Sequence, residues 1–260
     1  MKFLDKLRTR FNYRVNHVSK FPKAKLSATM LNLAERGFQP KHILDIGANK
    51  GRWSADAKAV FPDCAFTLIE PQVEMKSHLD RFCSSDPNCQ WVQAGVGKEN
   101  DRMLFTVVPD TVSSSFAFSS EQAELSGYEQ REIEIYSLDH LIENHIGTVP
   151  DIIKIDAEGF EHEILLGGNN AWGKCELVFL EAHMLGDDDH PSSLISLTQT
   201  MSDLGYAPYD FTWFGKRPTD EGAIGLCEVA FALKNGFLRN TISHRDGVKK
   251  HVVPPRKQVA

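Results

Sequence analysis

Asp45-Ile46-Gly47-Ala48-Asn49-Lys50-Gly51 is the first stretch of this chain whose residue types and spacing point to chemistry. It follows a short apolar run and leads into a helical pattern carrying Trp53, Ala57, Val60 and Phe61 on one face. Glycines at 47 and 51 let the backbone approach a ligand and set amide N–H groups at a helix start, where an anionic group is favoured. A dinucleotide-binding turn needs G-x-G-x-x-G, and Asn49 stands where its middle glycine would be. A second apolar run ends in Glu70-Pro71, and an acid at such a strand tip accepts hydrogen bonds from ribose hydroxyls. In Ile152-Ile-Lys-Ile-Asp156 the polar Lys154 and Asp156 alternate with Ile155 toward the carboxyl end, the end at which open α/β sheets hold ligands. Lys154 reads there as a partner for a nearby carboxylate. Glu158-Gly159 reads as the opening of a helix, whose first turn favours acids.

The elements that must position these groups follow from the hydrophobic pattern. Strands are expected at His42–Ile46, Ala65–Glu70, Gln90–Val96, Ile152–Asp156 and Leu177–Glu181, with helices between them. Leu26–Arg36 reads as a helix stopped by Gly37. A helix through Phe160, Ile164 and Leu165 stops at Gly167-Gly168, and one through Leu194, Leu197, Met201 and Leu204 stops at Gly205. Strands rich in Ile, Leu and Val that alternate with helices imply a parallel, doubly wound α/β sheet. Met103–Val108 and Glu132–Leu138 read as extra strands. Tyr206–Trp213 and Cys227–Leu233 read as a closing antiparallel pair joined by the loop 215–225.

The 260 residues suit one α/β domain with extensions, and no apolar run is long enough for a transmembrane span. A net charge of -6 speaks against nucleic acid as the main partner, as does the lack of an Asn-Pro-Pro-Tyr or Pro-Cys motif. Five cysteines without a C-x-x-C pair argue against a disulfide framework or zinc ribbon, and with no signal peptide the expected compartment is the cytoplasm. Between Met1 and Lys25 eight Lys or Arg face one acid, Asp5. Phe3, Leu7, Phe11, Val15 and Val18 make that segment a basic helix packed on the domain rather than a transit peptide. The Pro254-Pro255-Arg256-Lys257 tail is basic and expected to fray.

The most specific stretch is Pro150-Asp-Ile-Ile-Lys-Ile-Asp-Ala-Glu-Gly-Phe-Glu-His-Glu-Ile-Leu-Leu-Gly-Gly168. It resembles the characteristic segment of the FkbM family of methyltransferases. Asp45-Ile-Gly-Ala-Asn, Glu70-Pro71, Ser113-Ser114-Ser115, Ser137-Leu-Asp-His-Leu and Leu180-Glu-Ala-His183 agree with that family in order, so the resemblance covers about residues 40 to 235. It implies a Rossmann-like class I fold, a mostly parallel seven-stranded sheet with an antiparallel C-terminal strand. The partition is then a basic helical extension over 1–38, a methyltransferase domain over 39–236 and a basic tail over 237–260.

The resemblance further implies S-adenosylmethionine as cofactor. Asp45 would sit near its ammonium and the Gly47-Asn49-Gly51 loop amides would meet its carboxylate. Glu70 would hold the ribose, and Gly95 and Val96, by position alone, would lie against the adenine. The acceptors implied are hydroxyls of sugars, glycans and natural products. Two arrangements fit such a transfer. His183 takes the proton while Asp156 orients the acceptor, or Asp156, Glu181 and His183 share a divalent ion such as magnesium. Thr111–Gly127, Ala182–Pro191 and Tyr209–Phe214 are expected to frame the acceptor, and Gly186-Asp-Asp-Asp-His190 reads as a solvated acidic loop. A non-catalytic cofactor-binding module and an NAD-type oxidoreductase remain as alternatives.

Overall fold

The structure, a computed structural model, describes residues 24–84, 86–185, 189–216 and 223–240. The basic N-terminal helix, the tail with Pro254-Pro255, Gly186-Asp187-Asp188 and most of the loop 215–225 lie outside the described residues.

The strands are β1 (His42–Ile46), β2 (Ala65–Ile69), β3 (Cys89–Val92), β4 (Gly95–Gly97), β5 (Asp101–Val107), β6 (Glu129–Ser137), β7 (Ile152–Ile155), β8 (Leu177–His183), β9 (Tyr206–Lys216) and β10 (Ile224–Leu233). The helices are α1 (Leu26–Glu35), α2 (Arg52–Val60), α3 (Lys76–Cys83), α4 (Ser120–Ser126), α5 (Leu138–Leu141, running into a π-helical turn Ile142–Ile146), α6 (Glu161–Leu166), α7 (Leu194–Asp203) and α8 (Phe237–Asn240).

Seven strands form one sheet in the order β3-β2-β1-β7-β8-β10-β9. It is parallel from β3 to β8, and β10 runs antiparallel to both β8 and β9. This is the expected class I methyltransferase-like architecture with its antiparallel C-terminal strand. The period-two alternation of the strands splits the core between the two faces. Leu44, Ile46, Ile153, Ile155 and Leu180 pack with Leu138, Ile164 and Leu197 from α5, α6 and α7. Ile43, Phe66, Leu68, Ile152 and Phe179 pack with Met30, Leu33, Ala57 and Leu79 from α1, α2 and α3. The strand order reverses between β1 and β7, and a crevice opens there beyond their carboxyl ends.

The run Gln90–Val96, read from sequence as one strand, divides. β3 ends at Val92, and Gly95–Gly97 pairs in parallel with β6 in a second sheet, β4-β6-β5. An apolar run does not say which sheet it joins. Gly95 permits the close pairing with β6, because a Cβ there would lie 2.5 Å from both Ile135 and Phe116. The two extra strands of the sequence reading are β5 and β6, and the chain between them folds over the crevice.

Candidate functional site

The crevice holds a cavity of about 280 Å3, near the lower end of the roughly 300–1,000 Å3 range of small-molecule sites. Its wall includes Gly47, Asn49, Arg52 and Trp53 from the turn after β1, Glu70 and Gln72 from the tip of β2, and Gly95 and Val96 from β4. Asp156 and Glu158 after β7 close the remaining side.

Gly47 is the tightest point. Its φ is +72°, and a Cβ on it would stand 1.8 Å from the carbonyl oxygen of Asp156. Asn49 and Gly51 also take the left-handed region, at φ 45° and 70°. The turn places its own amides on protein acceptors. Those of Gly47 and Ala48 bond the carbonyl of Ile69, that of Asn49 bonds Glu70 Oε2 at 2.7 Å, and that of Gly51 bonds Ala48. The open donors are one step further on. α4, α5 and α7 start on serine side-chain caps, whereas α2 starts on Gly51 with none, leaving its first amides without a side-chain cap, and Arg52 and Trp53 of that turn line the cavity.

Asp45 does not reach the cavity. It is fully buried, accepts a 2.6 Å hydrogen bond from Ser54 Oγ, and has Lys154 Nζ 3.3 Å from its Oδ1. That contact is an ion pair off hydrogen-bonding angle, so Oδ1 has a charge partner but no donor. Strand alternation explains the placement, because Asp45 and Lys154 are register partners on the α2 face. Lys154 also contacts Asp156 Oδ2 at 3.1 Å and donates to the carbonyl of Gly47 at 2.8 Å. Burial works to lower its pKa, but Asp156, Asp45 and Glu228 outweigh it and hold the ammonium charged. Lys154 is thus a carboxylate partner, and the acid that meets the cavity is Asp156.

Glu158 does not open a helix; α6 begins at Glu161. Glu158 takes φ +51° and Gly159 φ +97°, a reversal that turns Glu158 back to the cavity. Glu161 secures this bend. Buried at 1% exposure, it accepts from the amides of Ala157 and Gly159 and from Ser192 Oγ at 2.5 Å. The serine patch is structural too, since Ser115 Oγ donates to the Glu158 carbonyl and Ser114 Oγ accepts from Val108. Thr111, at φ +60°, receives Asn49 Nδ2 and Gln72 Nε2 on its carbonyl, pinning the β5–β6 chain over the cavity.

One carboxylate oxygen each from Asp156, Glu158 and Glu181 lies within 4.8 Å of the others. His183 is not of that group; its ring stacks on His190 at 5.5 Å, outside the cavity wall. Burial first, then the neighbouring acids, push Glu158 up to about 8 and Glu181 up to about 9, with Lys154 opposing. Glu228, opposite Glu181 in the β8–β10 register, is pushed up to about 7, chiefly by burial. Each glutamate ordinarily titrates near pH 4.3, so over the interval above that the folded chain holds protons the unfolded chain has lost. Their contribution to stability is complete below the unfolded value and lost as pH rises through the folded ones. Without ligand and in chelator, the thermal midpoint should therefore fall between about pH 5 and pH 9, and Glu228→Gln should flatten the first part of that fall. A midpoint level over this interval contradicts the shifts.

The sequence reading did not single out Trp53 as a polar group, Gln72 or Glu228. The helical spacing marks Trp53 only as an apolar position, and Gln72 and Glu228 join the site through pairings that span distant parts of the chain.

Solved structures of similar fold include precorrin-6y C5,15-methyltransferase from Geobacter metallireducens, at 15% identity and TM-score 0.41, covering 79% of this chain and 86% of that one. Another is a Burkholderia thailandensis 1,6-didemethyltoxoflavin N1-methyltransferase with bound S-adenosylhomocysteine, at 13% identity and TM-score 0.42, covering 90% of each chain. A third, an N-methyltransferase from Bradyrhizobium japonicum with S-adenosylhomocysteine, has 8% identity and TM-score 0.44, covering 80% and 85%. Similarities this low do not bear on activity or substrate, and a search of curated proteins gives no match. Among the described residues no helix is long and apolar enough to cross a membrane. The family model for the methyltransferase FkbM domain matches residues 45–208, from the acid of the β1 turn into β9. Its match takes in the turn after β1, the cavity wall and the Asp156–Glu161 bend together, and the chain belongs to the FkbM methyltransferase domain family.

Proposed function

We propose that the protein binds S-adenosylmethionine in the β1–β7 cavity and methylates a hydroxyl of a small-molecule or glycan acceptor. The observation that carries this reading is the arrangement of open polar groups around one cavity. Among the described residues, Trp53 Nε1 and Gln72 Oε1 are buried without hydrogen-bond partners, and both residues line it. With the bare α2 amides, Trp53 offers donors suited to a carboxylate. Asp156 offers an acidic side chain to a cationic centre, and Glu70 offers an acceptor to a ribose hydroxyl. Ile69, Val96 and Phe105 provide apolar wall for a flat base. The donor set fits the cofactor.

When bound, the cofactor supplies a methyl carbon on a cationic sulfur, open to in-line displacement. The residues must then orient the acceptor oxygen and receive its proton. Besides Glu70, Asp156 and Glu158 are the acids on the cavity wall, and a carboxylate raised to about 8 is matched to taking a proton at mildly alkaline pH. Glu158 is the base in this reading and Asp156 the orienting group. His183 is the competing base, and the pair of variants Glu158→Gln and His183→Ala separates them. Glu158→Gln should cut turnover by about 10²-fold or more with little change in cofactor affinity; a larger loss in His183→Ala would return the role to the histidine.

A second reading is favoured by the carboxylate trio. Asp156, Glu158 and Glu181 together form an oxygen-rich set that suits magnesium, which would polarise the acceptor hydroxyl and lower its pKa. Turnover abolished by chelator and restored by magnesium is the outcome expected of that reading, and full turnover in chelator removes it. The cofactor itself is tested by calorimetric titration of the purified chain with S-adenosylmethionine, S-adenosylhomocysteine and NADH. Binding of the first two is expected; binding of NADH alone would restore an oxidoreductase. Methyl transfer to amine acceptors but to no hydroxyl would overturn the acceptor class.

A further inference from the structure

Glu70 was expected to receive both hydroxyls of a ribose, but its carboxylate is already largely engaged by the protein. Oε1 accepts from the amide of Gln72 at 3.0 Å and from Gln72 Nε2 at 3.1 Å, and Oε2 accepts from the amide of Asn49 at 2.7 Å. An ionised carboxylate has about four lone-pair sites, so roughly one remains. A vicinal diol brings two donors.

Beside it stands an acceptor with the opposite problem. Gln72 is 4% exposed and its side chain lies against Glu70 on the cavity wall. Its Nε2 donates both to Glu70 Oε1 and to the Thr111 carbonyl at 3.1 Å. Those two acceptors fix the amide orientation, because a flipped amide would set its oxygen against a carboxylate and a carbonyl. Oε1 is therefore the end left over, buried and without a donor among the described residues. Buried carbonyl oxygens are almost always hydrogen-bonded, since leaving one bare forfeits its hydration with nothing in return. The groove asks for one donor at Glu70 and one at Gln72, side by side.

We propose that Gln72 Oε1 accepts a hydrogen bond from one hydroxyl of the bound ribose while Glu70 accepts from the other, so that the diol is divided between the two residues. This rests on the S-adenosylmethionine reading above. In it, Gln72 makes direct ligand contact and also positions Glu70 and the Thr111 chain. A ligand lacking either hydroxyl leaves a different residue unpaired.

The test is a ligand-by-variant cycle with S-adenosylhomocysteine, its 2′-deoxy and 3′-deoxy analogues, and the analogue lacking the adenine amino group, titrated into wild type, Gln72→Met and Glu70→Gln. In the wild type each missing hydroxyl should cost about tenfold in affinity, the equivalent of one hydrogen bond. In Gln72→Met one of those two losses should shrink to less than about twofold while the other persists, the non-additivity expected of a direct contact. In Glu70→Gln the sensitivity should be complementary. Equal losses for both deoxy analogues in wild type and Gln72→Met would make Gln72 purely structural and overturn the proposal. Coupling to the amino-less base instead would move Gln72 to the adenine and overturn it as well. Should Gln72→Met fail to fold, Glu70→Gln decides, because loss of sensitivity to both hydroxyls there assigns the diol to Glu70 alone. A wild type that binds no S-adenosylhomocysteine removes the cofactor reading and this proposal with it; binding with additive losses removes only the proposal.

Discussion

Replacing Gly47 by alanine should abolish cofactor binding and lower the thermal midpoint of the free protein by roughly 5–10 °C, the equivalent of about 3 kcal/mol in a chain of this size. Two causes add. At φ +72° any Cβ strains the backbone, a cost of about 1–2 kcal/mol. That same Cβ would lie 1.8 Å from the Asp156 carbonyl oxygen, and the atom it meets is backbone, which cannot swing aside. Relief requires the β1 turn and the end of β7 to move apart. That movement carries the α2 amides, Asp156 and Glu158 away from one another, so binding suffers more than stability. Gly37→Ala separates the two causes. Its φ is +84° with nothing within 4 Å of the added Cβ, so it should cost only the conformational part and leave binding intact. Calorimetric titration and thermal unfolding of both variants make the comparison. If Gly47→Ala binds the cofactor as the wild type does, the close approach of turn and strand is not part of the site.

The contrast between these glycines also shows where the sequence was legible. The β1 turn, the Glu70 tip and the β7 segment are contiguous patterns, and each specifies its own local conformation through glycines, strand alternation and helix starts. The parallel, doubly wound class followed from them, because strands alternating with helices build βαβ units. What the residues did not disclose is which neighbours they would meet. Asp45 reads like a ligand residue by spacing, yet its register with Lys154 turns it under the loop and gives the cavity to Asp156. Glu158 reads like a helix-opening acid, yet the bend held by Glu161 returns it to the cavity. Glu228 sits beside the acids only because β10 runs back against β8 in one register. His183 carries a chemically suggestive side chain at a strand end, but the bend places Glu158 with the carboxylates in its stead. Pairings between distant strands set Asp45 and Glu228, and a local bend that the residue pattern does not announce sets Glu158 in the place read for His183.

Lys154→Met should be the most destabilising single substitution in the site, at about 3–5 kcal/mol, because it leaves buried carboxylates without their counter-charge. The methionine retains much of the side-chain volume, so packing changes little and the loss reads mainly charge. Lys154 is 3% exposed and lies between Asp45 and Asp156, while Asp45, fully buried, would keep only Ser54. The pH dependence distinguishes this from a packing defect. Lys154 pulls the pKa of Glu70, Glu158, Glu181 and Glu228 downward, so its removal lifts them further above their unfolded values. The folded variant then retains still more protons relative to the unfolded chain, and its stability declines more steeply as pH rises. The penalty should accordingly be larger at about pH 8 than at about pH 5, where the acids are closer to neutral in both proteins. Denaturant titrations of wild type and variant at the two pH values measure it. An equal penalty at both would mean that Lys154 acts through packing, and that the charge balance around Asp45, Asp156 and Glu158 is not what holds the turn against β7.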